Sequence, residues 1–202
     1  MKLYHASQSR SVRPRWLLEE LGVPYEVERL SLSAGDHKKP AYLKLNPNGQ
    51  VPTLVDGDLA LFESAAICQY LTDKYPEKGF APPAGTPERG RYYQWIHYAM
   101  SGLEPPAVTI FLHTIMKPEA ERLPQLVGPA RETLVGAVGV VDAALAGREW
   151  LVGDRIGTAD VMVGSTLVWC AMMGLLGDDT PHAKAYLERI AQRPAYQRAG
   201  AD

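Results

Sequence analysis

Two rhythms of apolar residues divide the chain near residue 76. Before that point, short apolar runs alternate with helical patterns. K-L-Y-H (2–5) predicts a strand, and Val12, Trp16, Leu17 and Leu21 recur at helical spacing. Gly22 stands where a helix is capped, and Pro24 prevents its continuation. Y-E-V-E-R-L (25–30) predicts a second strand. Because a helix separates it from the first, the two are expected to lie parallel through a right-handed crossover. A short helical turn around 41–45 precedes strands at 51–55 and 59–63, joined by D-G-D, a tight-hairpin signal. S-A-A-I-C-Q-Y-L-T-D-K-Y (64–75) then reads as a helix.

After residue 76 the grammar changes. P-E-K-G-F-A-P-P-A-G-T-P (76–87) has the Pro and Gly density of a linker, and everything beyond it is helical in pattern. One long helix starts at E-R-G-R-Y-Y-Q-W-I-H-Y-A-M, and Pro105-Pro106 must bend or stop it. Further helices are expected at roughly 124–145, 158–176 and 180–192. The pattern gives an α/β domain at 1–76, a linker at 77–87 and an all-helical domain at 88–202.

Composition narrows the function classes. The 21 Lys and Arg nearly balance the 23 Asp and Glu, so nothing points to nucleic acid or to a membrane surface. Cys68 and Cys170 lie far apart in apolar runs, as reduced buried thiols do, which predicts a cytoplasmic protein without a disulfide frame. The N-terminus lacks the apolar stretch of a secretory signal. The uncharged segment 161–177 is too short and too interrupted by Gly, Ser and Thr for a bilayer span, and fits a buried helix. The five histidines show no metal-ligand spacing, so no metal is expected.

The candidate chemistry lies in four short segments. G-Q-V-P-T-L (49–54) sets Pro52, which has no N–H, inside a strand pattern; either the strand is an edge or the backbone is turned towards something else. F-E-S-A (62–65) opens a helix, whose free N–H groups suit a carboxylate; Ser64 also has the chemistry of a simple N-cap. D-H-K-K (36–39) is a basic loop, read by itself as a solvated turn. S-Q-S-R-S (7–11) offers three hydroxyls ahead of the first helix, with Ser11 placed as its cap.

L-N-P-N-G-Q-V-P-T-L-V-D-G-D-L-A-L-F-E-S-A-A-I-C-Q-Y-L, together with S-R-S-V-R-P-R-W-L-L-E-E-L-G and G-D-H-K-K-P-A-Y-L, resembles the cytosolic glutathione S-transferases, in their serine-type, bacterial-like form. The resemblance covers the whole N-terminal domain. It implies a thioredoxin-like domain followed by an all-helical one that completes the pocket for the electrophile. It also implies that the Val51–Pro52 bond is cis, with Val51 pairing through its backbone to the cysteinyl residue of glutathione. Ser64 would hold the γ-glutamyl carboxylate and Glu63 its ammonium. Gln50 and the basic pair His37-Lys38 would meet the glycyl carboxylate, with the choice among His37, Lys38 and Lys39 left open.

In serine-type members the catalytic serine stands four residues before an arginine of the first helix, and counting back from Arg13 gives Ser9; Ser7 and Ser11 remain alternatives. Its hydroxyl would favour the thiolate of glutathione over the thiol. Arg10 stands where some bacterial members carry a reactive cysteine. The implied activity is transfer of glutathione, as co-substrate, to a small apolar electrophile by a homodimer. Isomerase, dehalogenase or peroxidase chemistry on the same scaffold, and non-catalytic ligand binding, are the alternatives. In the helical domain, R-I-G-T-A-D-V puts Gly157 at a helix cap with Asp160 three residues on, and Ile156 and Val161 as a hydrophobic staple.

Overall fold

A computed structural model of the chain describes residues 1–177 and 179–201. These form two compact units: Met1–Ala81 together with the C-terminal segment from Ala191, and Pro82–Ile190. The sequence pattern assigned everything from 88 onward to the second domain. The last helix instead packs on the first unit.

The first unit is built on four short strands, β1 (Lys2–His5), β2 (Glu26–Arg29), β3 (Thr53–Asp56) and β4 (Leu59–Phe62), in the spatial order β2-β1-β3-β4. β1 and β2 are parallel, while β1–β3 and β3–β4 are antiparallel. Strand residues alternate between faces. Thus Leu3 and His5 are buried on one side, and Tyr4 on the other meets Tyr42 with ring centroids 5.4 Å apart. β3 starts at Thr53, two residues later than the apolar run suggests, because Val51 and Pro52 stay outside the ladder.

Helix α1 (Val12–Leu21) buries Trp16, Leu17, Leu18 and Leu21, and ends at Gly22 in the left-handed region (φ 64°), where glycine carries no steric cost. The short α2 (Pro40–Leu43) supplies Tyr42 to the other face of the sheet, and α3 (Ser64–Lys74) packs Ile67, Cys68 and Leu71 beside α1.

The second unit is helical among its described residues. Here α4 (Pro87–Tyr98) runs on as a π-helical turn, Ala99–Leu103, into α5 (Glu104–Phe111). Pro105 and Pro106 therefore do not stop the helix. The ladder lengthens by one residue just before them, with the Glu104 N–H reaching the Ala99 carbonyl, so the two missing donors fall at a junction already out of α register. α6 (Val127–Leu145), α7 (Thr158–Met172) and α8 (Pro181–Ala191) complete the unit. The core of the unit is α7, with ten buried positions. No helix among the described residues is long and apolar enough to cross a membrane.

A ninth helix, α9 (Pro194–Gly200), belongs to the first unit and is absent from the sequence expectation. It docks on α1: Tyr196 stacks edge-on against Trp16 at 5.0 Å, and Arg193 makes a paired contact to the Glu20 carboxylate at 2.5 and 2.7 Å.

Candidate active site

Strand register gathers the candidate segments at one end of the sheet. Tyr4 pairs with Thr53 and Thr53 with Phe62, while His5 pairs with Arg29 in the parallel neighbour. The chain therefore leaves β1, β2 and β4, and enters β3, on the same edge. There the chain after β1 carries Ser9, after β2 His37 and Lys38, before β3 Gln50 and Val51, and after β4 Glu63 and Ser64. Four segments scattered over 56 residues of sequence become neighbours because three strands end, and one begins, at that edge.

The Val51–Pro52 bond is cis. Among the described residues, neither the N–H nor the C=O of Val51 has a partner within the chain. The peptide just before it is firmly held. The Gln50 carbonyl accepts from Tyr42 Oη at 2.5 Å and from Asn46 Nδ2 at 2.8 Å, and Thr53 Oγ1 lies 2.8 Å from the same tyrosine oxygen. The tyrosine has one hydrogen and gives it to Gln50, so Thr53 donates in return. Tyr42, Asn46 and Thr53 were not among the sequence candidates, although N-P-N-G ahead of the proline is a turn signal that would mark Asn46.

At the start of α3 the cap position is Glu63, not Ser64. Glu63 has φ 73°, uncommon for a residue with a side chain, and is exposed. Ser64 is the first helical residue and is 3% exposed; its Oγ accepts from the Arg13 guanidinium at 3.2 Å. The Glu63 carbonyl takes the Ile67 N–H at 2.9 Å. The N–H groups of the three residues before Ile67 head the helix and meet its positive dipole end.

In the 3₁₀ turn Asp36–Lys38 the basic residues separate. Lys39 pairs with Asp36 at 2.7 Å, a contact that holds the Asp36 carboxyl below its ordinary value. Lys38 instead sends its ammonium to the Asn48 carbonyl at 3.3 Å. A Cβ added to Gly49 would lie 2.9 Å from both Lys38 Nζ and the His37 carbonyl, so Lys38 sits against the segment that leads into Gln50 and Val51. Of the three basic candidates, Lys38 has this position and Lys39 does not.

The three serines also separate. Ser7 is exposed. Ser11 occupies the cap position of α1, yet makes no side-chain capping bond; its hydroxyl turns back to Ala6 and His5 and is wholly buried. The expected capping role is therefore not the one it plays. Ser9 is partly exposed, with Oγ 2.7 Å from the Ala6 carbonyl and 2.7 Å from Ser11 Oγ. Neither cysteine lies in this loop: Cys68 and Cys170 are both fully buried, and burial pushes the Cys68 thiol up to about 12.

Comparison with known proteins identifies the family. Residues 1–73 match the family model of the glutathione S-transferase N-terminal domain, and residues 103–194 that of the C-terminal domain. Glutathione S-transferase 3 of Zea mays is 33% identical over 205 residues, covering 98% of this chain and 92% of its own. Glutathione S-transferase F9 of Arabidopsis thaliana is also 33% identical, over 98% of this chain and 94% of its own. Among solved structures, a sphingomonad glutathione S-transferase complexed with glutathione superposes with a TM-score of 0.86 at 29% identity, covering 99% of this chain and 97% of that one. A two-unit chain with a thioredoxin-like sheet and a helical second unit is the architecture of that family. The chain belongs to the glutathione S-transferase family.

Proposed function

We propose that the chain binds glutathione along the shared edge of its sheet and transfers it to a small apolar electrophile, with Ser9 stabilising the thiolate. The observation that carries this reading is the pair of unpartnered peptide groups on Val51, flanked by the other three segments. An extended peptide can add to such a backbone as a strand does.

The polar groups follow the same order as the tripeptide's parts. At the β4 end, Ser64, the free N–H groups of α3 and the exposed Glu63 suit an α-carboxylate beside an ammonium. Val51 at the centre suits the cysteinyl peptide. Lys38, with His37 and Gln50, suits the glycyl carboxylate. Ser9, after β1, is the accessible hydroxyl for the sulfur. A hydroxyl that donates to the thiolate favours it over the thiol, whose ordinary value is ~8.5. Homodimer assembly and a cytoplasmic location belong to the same reading and are supported by family membership.

Ultraviolet titration of the glutathione complex tests it. The thiolate band of bound glutathione is expected to appear well below the pH at which free glutathione shows it. Turnover is expected with halogenated or α,β-unsaturated electrophiles in preference to hydroperoxides. A complex whose thiol titrates like the free tripeptide would overturn the assignment. Ser64→Ala tests the carboxylate end separately: removing a hydrogen bond to a charged group should weaken glutathione binding by about tenfold with little change in kcat. An unchanged dissociation constant, measured by calorimetry, would place the carboxylate elsewhere.

A further inference from the structure

The hydroxyl of Ser9 is the end of a buried chain of polar groups that determines which way its hydrogen points. Arg15 on α1 is 7% exposed, and its Nη1 lies 3.1 Å from His5 Nε2. A guanidinium can only donate, so Nε2 accepts and the ring is neutral, with its hydrogen on Nδ1. His5 Nδ1 is 2.7 Å from Ser11 Oγ and therefore donates to it. Ser11 Oγ also takes the Ala6 N–H at 3.1 Å. With both lone pairs of Ser11 occupied, that hydroxyl has only its own hydrogen to offer. Its acceptors are Ser9 Oγ at 2.7 Å and the Ala6 carbonyl at 3.0 Å.

Ser9 Oγ in turn accepts from the Ser11 N–H at 3.2 Å. Once Ser11 Oγ donates to it as well, both lone pairs of Ser9 are filled, and its one hydrogen must be given away. The acceptor within the chain is the Ala6 carbonyl at 2.7 Å. That carbonyl has two lone pairs and is within reach of both hydroxyls. An incoming thiolate sulfur can accept the Ser9 hydrogen bond in place of that carbonyl, with the proton staying on Oγ.

We propose that Arg15, His5 and Ser11 are positioning residues that turn the Ser9 hydroxyl into an obligate donor to the sulfur of glutathione. Arg15 fixes the His5 tautomer, His5 fixes the direction of Ser11, and Ser11 fills the remaining lone pair of Ser9. Serial donation of this kind polarises the terminal hydroxyl, so the last O–H is a better donor than an isolated serine. The C-terminal segment contributes by holding Arg15, whose Nη2 faces the carbonyls of Arg198 and Ala201 at 3.4 and 3.5 Å. The buried histidine and the buried arginine after Pro14 thereby acquire a purpose that hydrophobic patterning alone leaves unexplained. The inference rests on the assignment of Ser9 above.

Two near-isosteric substitutions at one position test it. An asparagine amide can reproduce the Nδ1 donor, and a glutamine amide the Nε2 position. His5→Asn is therefore expected to keep the thiolate band of bound glutathione close to that of the parent. His5→Gln and Ser11→Ala are expected to lower the thiolate fraction near neutral pH by roughly 3- to 10-fold. In these two variants kcat should fall in the same proportion, with KM for glutathione nearly unchanged. In a Ser9→Ala background, His5→Gln should have no further effect on the thiol titration.

If Ser9→Ala itself leaves the thiolate band in place, the Ser9 assignment fails. If Ser9→Ala removes the band but His5→Gln and Ser11→Ala do not weaken it, Ser9 stands and the relay is wrong. Equal losses in His5→Asn and His5→Gln, or additive losses with Ser9→Ala, would show that His5 serves the fold and not the hydroxyl. Should Ser11→Ala fail to fold, the comparison of the two His5 variants decides the matter alone.

Discussion

Ser9→Ala is expected to lower kcat for conjugation by about 10²- to 10³-fold, the range seen when a single preorganised donor to developing negative charge is removed. The dissociation constant for glutathione should stay within about threefold of the parent, because no recognition group is touched. The carboxylates and the cysteinyl backbone are assigned to Ser64, Lys38 and Val51, none of which bonds to Ser9. The fold should tolerate the change. Ser9 Oγ gives up a bond to the Ala6 carbonyl and bonds from the Ser11 N–H and hydroxyl, at a partly exposed site where water can substitute, and the Ser11 hydroxyl still has the Ala6 carbonyl at 3.0 Å. The cost in stability is therefore about 1 kcal/mol. Steady-state rates over a range of glutathione concentrations separate the two effects. Unchanged turnover would mean that another group meets the sulfur. Ser7, exposed in the same loop, would be the next residue to replace, since the Ser11 hydroxyl is buried and already committed.

The parts of this molecule that were legible in the sequence are those set by local chemistry. D-G-D fixed a hairpin with Gly57 at φ 60°, Gly22 fixed the end of α1, and the change from short apolar runs to long helical patterns separated two kinds of structure. The convergence of Ser9, Val51 and Ser64 was legible only through the family resemblance, because it depends on strand order and register. The pattern of a single strand does not reveal those.

What escaped was the long-range part. α9 is seven residues long, and P-A-Y-Q-R-A-G has no apolar stripe of its own; it is held by Trp16, Glu19 and Glu20 from the far end of the chain. Ser11 was expected to cap α1 because serine before a helix ordinarily does so. Here a buried histidine from β1 offers its hydroxyl a different partner. Serine favours the cap position, so Ser64 has the chemistry of one, yet Glu63 takes it with a backbone conformation that composition does not announce. R-P-R-W-L-L also carries a signal of its own. Two arginines within an apolar helical face are costly to bury without partners. Arg13 meets Ser64 and Arg15 meets His5, both at the edge that gathers the candidate segments.

Asp160→Ala is expected to be the most destabilising single change, costing about 3–5 kcal/mol. The carboxylate is wholly buried at the start of α7 and ties together three separate parts of the helical unit. Its Oδ2 accepts the Gly157 N–H at 2.9 Å and so closes the helix cap that glycine, lacking a side chain, cannot close from the other direction. Its Oδ1 accepts the Leu151 N–H at 2.9 Å and the hydroxyl of Tyr186, on α8, at 3.0 Å. Ile156 and Val161, the expected staple, are both buried beside it. Alanine would strand the buried Leu151 N–H and the half-buried Gly157 N–H, and would leave the Tyr186 hydroxyl only the backbone carbonyl of residue 160, at 3.1 Å. Asp160→Asn should cost less, since its oxygen keeps two of the donors and only Gly157 then faces an N–H₂ group.

The charge on Asp160 gives a second measurement. Burial outweighs the three donors and pushes the carboxyl up from 3.8 to about 6. The folded state therefore holds this proton more tightly than the unfolded chain does. The stabilisation linked to it is complete below about pH 4 and is lost as pH rises through about 6. Asp160→Asn lacks this titration, so the stability advantage of the parent over the asparagine variant should shrink between pH 4 and pH 6 and then level off. Urea unfolding midpoints across that interval provide the test. A difference that grows with pH would mean that the donors outweigh burial and hold the carboxyl below its ordinary value, and an Asp160→Ala midpoint equal to the parent's would mean that α7 is held by its apolar contacts alone.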